Sequence, residues 1–111
     1  MANEKRLAML EKLTQSGAAD SFAWYGLALE YSSAGRIDEA LRAFRTLRER
    51  DESYVPMYLI CGTMLVRAGR DGEGREWLEA GITMARKSGN SHALRELEEA
   101  LGQIPPPPSL A

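Results

Sequence analysis

Apolar side chains recur along this sequence at intervals of three and four residues, which is the spacing of one face of an α-helix. The first clear set is Trp24, Leu27, Ala28 and Tyr31, and the second is Ile37, Ala40, Leu41, Phe44 and Leu47. Asp20 precedes the first set as a candidate N-cap, and Gly35 follows it as a residue suited to a left-handed helix end. The pattern therefore predicts two consecutive helices separated at Gly35.

The same pattern returns after 34 residues. This step carries Trp24 onto Tyr58, Leu27 onto Cys61, Ala28 onto Gly62, Tyr31 onto Leu65, Gly35 onto Gly69, Ala40 onto Gly74 and Phe44 onto Leu78. Pro56 is compatible with the first turn of the next helix, where its missing N–H has no intrahelical acceptor in any case. A constant period of this length indicates stacked helical hairpins, each of which needs a neighbour to bury its apolar face.

The two ends of the chain follow the same period. Leu7, Leu10 and Leu13 predict a helix over 3–16 that Gly17 ends, and Leu94, Leu97 and Leu101 predict a helix over 91–101 with Ser91 as cap and Gly102 as end. We therefore expect an all-α fold of about six helices in a single domain, 1–102. It comprises an end helix, repeats over 21–54 and 55–88, and a second end helix.

Residues 103–111 contain four consecutive prolines, which exclude a helix and predict an extended polyproline II tail. Three roles are open to this tail: a ligand for a partner's aromatic groove, a segment that folds into this protein's own groove, or an idle terminus. Within the second repeat, Gly74 and Gly81 occupy positions where close helix packing is expected, whereas Gly72 has no evident role.

Composition narrows the classes of function. The formal charge of −2 gives no basic excess for binding nucleic acid or an anionic membrane. The N-terminus lacks the uninterrupted apolar stretch of a signal peptide, and no segment approaches the length of a membrane span. The single cysteine, Cys61, cannot form an intramolecular disulfide. A cytoplasmic protein without a membrane segment is the expectation.

Candidate catalytic chemistry is sparse. His92 is the only histidine, so neither a catalytic triad nor a metal site of converging ligands is expected. We expect Cys61 to be a buried apolar residue and not a reactive thiol. The arginines between Arg42 and Arg50 alternate with acidic residues and are expected to form a solvated helix face. The sequence thus predicts no enzyme activity and no cofactor.

These residues resemble the tetratricopeptide repeat, whose signature is W-x2-L-G-x2-Y, then A-x3-F, then a proline. Trp24, Leu27, Ala28, Tyr31, Ala40 and Phe44 occupy the signature positions of one repeat, with alanine in the glycine position. The second repeat matches by residue type, through Tyr58, Cys61, Gly62, Leu65, Gly74 and Leu78. Neither repeat has the terminal proline, since Glu52 and Arg86 stand there.

The resemblance implies a right-handed superhelical array of antiparallel helix pairs, in which the first helix of each pair lines a concave groove. The positions that face the groove would be Phe22, Tyr25, Leu29 and Ser32 in the first repeat and Pro56, Leu59, Thr63 and Val66 in the second, with Arg67 at the edge. One subgroup binds chaperone C-termini through a lysine and an asparagine. Tyr25 and Leu29 occupy those two positions here, so that clamp is missing.

The predicted function is recognition of another protein or peptide by an apolar groove. Self-association through the same surface is the nearest variant. RNA binding by a helical repeat is the alternative from another class, although it requires polar base-reading side chains and a basic groove.

Overall fold

The computed structural model describes residues 3–17 and 19–106. This part of the chain contains the helices α1 Glu4–Gln15, α2 Ser21–Ser33, α3 Ile37–Arg50, α4 Pro56–Arg67, α5 Asp71–Ser88 and α6 Ser91–Gly102. No β-strand occurs among the described residues. The predicted all-α class with six helices is confirmed. Gln103–Pro106 are not helical, as the prolines predict, and residues 107–111 of the predicted tail lie outside the described residues.

The chain divides into two compact units, Met1–Met57 and Tyr58–Ala111. The first unit contains α1, α2 and α3, and it ends within the first turn of α4. The second unit contains the rest of α4 together with α5 and α6. In the first unit α1 packs against α2, which itself packs against α3. In the second unit α6 packs against α5.

Glycines in the left-handed conformation follow the ends of four of the described helices. Gly17, Gly35, Gly69 and Gly89 have φ values of 78°, 76°, 81° and 69°. After the last three, the next residue donates its N–H back to the helix: Arg36 to the Tyr31 carbonyl at 2.9 Å, Arg70 to Leu65 at 2.8 Å and Asn90 to Ala85 at 2.9 Å. This is the hydrogen bond of a Schellman motif, in which glycine avoids the steric cost of a Cβ atom. The predicted helix ends at Gly17, Gly35 and Gly69 are confirmed.

Side chains cap three of the described helix starts. Asn3 accepts a hydrogen bond from the Arg6 N–H at 3.0 Å at the start of α1. Asp20 accepts a hydrogen bond from the Ala23 N–H at 2.9 Å, which confirms it as the cap of α2. The prediction that Ser91 caps the last helix is wrong. Asn90 caps α6 by accepting from the Ala93 N–H at 3.0 Å, and Ser91 is the first helical residue. Asn90 holds this position because the preceding Gly89 reverses the chain and brings the Asn90 carbonyl and side chain to the helix start.

In the first unit, α1 covers α2 through Leu7 and Leu10, which are buried. Leu13, expected on the same apolar face, is exposed, and Thr14 is buried in its place. Burial of Thr14 is possible because its hydroxyl donates to the Leu10 carbonyl at 2.9 Å. Polar contacts also join the two helices: the Tyr31 hydroxyl donates to the Glu11 carboxylate at 2.6 Å, and the Arg6 guanidinium lies 3.3 Å from the Glu30 carboxylate.

The burial of Tyr31 makes the first unit sensitive to alkaline pH. Burial, followed by the hydrogen bond to Glu11, raises the pKa of Tyr31 to about 12 from an ordinary value of 10.0. A group that must stay protonated in the fold stabilises it fully below pH 10, and that stabilisation is lost as pH rises toward 12. We expect the melting temperature to fall between pH 10 and pH 12, and the Tyr31 pKa to fall in Glu11→Gln. Ultraviolet titration of the tyrosine phenolates measures the pKa of Tyr31, and Glu4→Gln, a change at an exposed residue, is the control. Equal titration curves for Glu11→Gln and Glu4→Gln would show that Glu11 does not raise the pKa of Tyr31.

In the second unit, α5 lies unusually close to α4 at two glycines. A Cβ on Gly74 would lie 2.8 Å from the Gly62 carbonyl oxygen and 2.6 Å from Val66 Cγ2. A Cβ on Gly81 would lie 2.5 Å from Tyr58 Cβ. The expectation that these two glycines permit close packing is confirmed. Gly72 has no atom within 4 Å of its Cβ position, so packing does not explain that glycine.

Candidate functional site

The residues predicted to bind a ligand in the first repeat lie along one face of α2. Phe22, Tyr25, Leu29 and Ser32 follow one another at intervals of three and four residues, and none of them is buried. Leu27, Ala28 and Tyr31, on the opposite face, form part of the core. The sequence pattern therefore correctly predicted which face of α2 packs in the core and which face stays accessible. Trp24 departs from the pattern because it is only half-buried.

Tyr25 is held in place by two other aromatic rings. Its ring lies 6.5 Å from that of Phe44 in an edge-on arrangement and 5.3 Å from that of Tyr54, in the loop that follows α3. Burial, together with the neighbouring Tyr54, raises the pKa of Tyr25 above its usual 10.0. A half-buried aromatic ring with fixed neighbours loses little freedom when a ligand packs against it, which favours its use as a contact residue.

Phe22 has the most exposed large apolar side chain in the described part of the first unit. Its exposed fraction is 67%. It lies one helical turn before Tyr25 on the same face of α2. The N-terminal half of α2 thus presents two aromatic side chains, one fixed by its neighbours and one in solvent.

The residues predicted for the second repeat lie along α4. Leu59, Thr63 and Val66 are half-buried and Arg67 is exposed, while Pro56 in the first turn is exposed. The Thr63 hydroxyl donates to the Leu59 carbonyl of its own helix at 2.8 Å. Because that hydrogen is used, Thr63 offers a ligand only an acceptor.

A pocket of about 200 Å³ lies on this side of the second unit. Three of its residues are the predicted Thr63, Val66 and Arg67, and the others are Leu78, Ala100, Gln103 and Ile104. Sequence reasoning missed the last four as site residues, since it assigned ligand contacts only to the first helix of each repeat. One feature of the sequence could have indicated these residues: Ile104 is an aliphatic residue that directly precedes the prolines of the tail.

The predicted residues thus form two surfaces, one on α2 in the first unit and one on α4 in the second. The single groove that would combine them stays a prediction. Two further pockets lie elsewhere. One of about 170 Å³ between α2 and α3 includes Trp24, Glu39 and Arg42, and one of about 510 Å³ between α5 and α6 includes Ile82 and Leu101.

The basic run on α3 is largely exposed. Arg42, Arg45 and Arg50 lie at the surface, and the Arg50 guanidinium lies over the Trp24 ring at 5.7 Å from its centroid. A guanidinium at this distance from an indole face makes a cation–π contact. The indole of Trp24 is therefore covered on one side by Arg50.

The remaining candidates for chemistry have local roles. Cys61 is fully buried. His92 is exposed and lies 3.1 Å from the Glu96 carboxylate, one helical turn away. Among the described residues, no group of three or more histidine, cysteine or acidic side chains is arranged to hold a metal ion. Within the same part of the chain, no helix combines the length and apolar character needed to span a membrane.

Comparison with known proteins gives structural matches. The crystal structure of a tetratricopeptide repeat domain protein from Salinibacter ruber is 31% identical, with a TM-score of 0.70, over 78% of this chain and 96% of that one. A solution NMR structure of a tetratricopeptide repeat domain protein from the same organism is 32% identical, with a TM-score of 0.71, over 77% and 86%. A solution structure of a Bordetella parapertussis protein is 22% identical, with a TM-score of 0.76, over 88% and 85%, and supports the fold alone. No family model matches the sequence, and no curated protein matches it.

Proposed function

This chain belongs to the tetratricopeptide repeat family, and from that premise we propose that it is a non-catalytic module that binds another polypeptide through the open faces of α2 and α4. The family relationship supports a helical repeat scaffold. The specific surfaces are proposed from the exposure of the residues that form them.

The observation that carries the proposal is the exposure of Phe22 beside the fixed ring of Tyr25. A phenylalanine with 67% of its surface in water contributes little to folding, yet burying such a side chain against a partner yields about 1.5–3 kcal/mol. Aromatic side chains next to well-packed neighbours are the usual centres of binding energy in interfaces. Leu29 and Ser32 continue the same face of α2 toward its C-terminal end.

The open face of α4 supports the same function in the second unit. Leu59 and Val66 offer apolar surface, and Arg67 places a charge at its edge. A mostly apolar helix face with a polar border fits the apolar side of a helix or an extended peptide with alternating apolar residues. The polypeptide partner is therefore one that buries aliphatic or aromatic side chains.

We expect Phe22→Glu to weaken partner binding at least about tenfold, because it places a charge in the proposed contact without disturbing the core. The measurement is quantitative mass spectrometry of proteins that the immobilised chain captures from extract of cells that express it, with and without nuclease treatment. Partners identified in this way are then titrated with the purified variants.

The matched control is Met9→Glu, which removes a similarly exposed apolar side chain, 61% exposed, from the outer helix α1. Partners that depend on the α2 face should be lost with Phe22→Glu and kept with Met9→Glu. Equal loss in both variants, or loss in neither, would refute the proposed face. Capture that disappears with nuclease treatment would favour the RNA-binding alternative.

A further inference from the structure

The four residues that follow α6 lie against the second unit. Ile104 is only 6% exposed, although it belongs to the segment that leads into the prolines. Its N–H donates to the Leu101 carbonyl at 3.2 Å, which turns the chain at the end of α6. Beyond it, the Arg75 guanidinium donates to the Pro105 carbonyl at 2.9 Å. Two separate contacts thus hold this segment on the body of the unit.

The docked segment reaches the proposed binding face. Ile104 forms part of the wall of the pocket to which α4 contributes Thr63, Val66 and Arg67. The pocket also includes Leu78 of α5, so its apolar lining comes from both helices of the second repeat. The residues that the sequence predicts as ligand contacts on α4 therefore already share a pocket with an aliphatic side chain of the chain itself.

The chemistry of the segment suits this position. Ile104 lies in the turn that ends α6, and the proline after it prevents the chain from continuing as a helix. Pro105 has no N–H, and its carbonyl is the group left to hydrogen bond. Arg75 supplies a donor for that carbonyl. The unit thus recognises an aliphatic side chain and the carbonyl of the proline that follows it.

We propose that the site held by Ile104 and Pro105, which adjoins the α4 pocket, binds peptides containing an aliphatic residue followed by proline, and that Ile104–Pro105 is the intramolecular occupant that such a partner must displace. The inference rests on the proposed function for the α4 face. The chain's own segment is the template for the ligand, because it shows which side chain is buried beside the pocket and which carbonyl Arg75 binds. Exchange is feasible because one apolar side chain and one exposed hydrogen bond hold the segment beyond the end of α6.

The test uses the full chain and a fluorescent peptide with the sequence of residues 102–111. In the wild-type chain the site beside the pocket is held by the chain's own segment, which a short connection keeps at an effective concentration on the order of millimolar. In Ile104→Ser the segment loses its anchor and this site becomes free. We expect Ile104→Ser to bind the peptide at least about tenfold more tightly than the wild-type chain, measured by fluorescence anisotropy.

Controls separate the pocket from non-specific binding. Pro106→Ala changes an exposed proline outside the two anchoring contacts and should bind the peptide as weakly as the wild-type chain. A peptide carrying Ile104→Ser should not bind, and adding Val66→Asp to the Ile104→Ser chain should abolish binding. Equal affinity of the wild-type and Ile104→Ser chains, binding of the substituted peptide, or binding that survives Val66→Asp would overturn the inference.

A second measurement applies even if Ile104→Ser unfolds, which circular dichroism would reveal. Arg75→Gln removes the bond to the Pro105 carbonyl and leaves the apolar contact. We expect the Ile104 amide to exchange with solvent at least about threefold faster in Arg75→Gln than in the wild-type chain. An unchanged rate would show that Arg75 does not hold the segment and would overturn the proposed recognition of the proline carbonyl.

Failure of this inference is distinguishable from failure of the proposed function. The peptide experiment needs no natural partner and reports on the pocket of the second unit. The Phe22→Glu experiment reports on α2 in the first unit. Captured partners that depend on Phe22, together with a peptide that binds no variant, would overturn only the inference; the reverse result would overturn only partner binding through α2.

Discussion

Phe44→Ala should lower the free energy of unfolding by about 3–5 kcal/mol, the cost of emptying a fully enclosed phenylalanine site. Phe44 has an exposed fraction of 0% in α3 and lies edge-on to Tyr25. Small domains are stable by only about 5–15 kcal/mol, so the change removes a large part of the total. Urea denaturation followed by circular dichroism would show it as a lower midpoint.

The chain provides its own control for this change, since the only other phenylalanine is exposed. Phe22→Ala makes the same chemical substitution on α2 and should change the free energy of unfolding by less than about 0.5 kcal/mol. Similar losses in the two variants would show that Phe44 is not a core residue. Because Tyr25 packs on Phe44, the stable face proposed for ligand binding depends on this core position.

Gly81→Ala should destabilise the second unit by about 1–3 kcal/mol, even though alanine is the better helix former. The new methyl group would lie 2.5 Å from Tyr58 Cβ and 2.9 Å from Leu97 Cδ2. Tyr58 Cβ is bonded directly to the backbone of α4, so relief requires that α4 and α5 move apart. Thermal and urea denaturation of the variant would measure the loss.

Gly72→Ala is the matched control, because it makes the same substitution in the same helix. No atom lies within 4 Å of the Gly72 Cβ position, so only the helix preference acts. We expect stability to rise by up to about 1 kcal/mol. Changes of the same sign in the two variants would refute the packing argument for Gly81.

The period of the sequence was enough to predict the helices and the side of α2 that faces the core. It carries this information because hydrophobic spacing and left-handed glycines act within a few residues of the chain. Two ion pairs also recur with the 34-residue period: Arg36 binds Glu39 and Arg70 binds Glu73, each with a nitrogen to oxygen distance of 2.7 Å. Local rules therefore produced the same local structure twice.

The candidate site was predictable only in part. The exposed positions on α2 and α4 followed from the resemblance to the repeat family, because a repeated backbone places equivalent residues on equivalent faces. Ile104 and Arg75 did not follow, since 30 residues separate Arg75 from its partner Pro105 and neither has an equivalent in the other repeat. Asn90 in place of Ser91 as the cap of α6 depended on the chain reversal at Gly89.

By itself, the sequence determined the all-α class, the six helices and the helix ends at Gly17, Gly35 and Gly69, because each depends on short-range sterics and on burial of one helix face. Only the tertiary structure decided that Gly81 lies against Tyr58 and that Ile104 shares a pocket with Val66. These contacts join side chains distant in sequence, and their existence depends on how closely two helices approach.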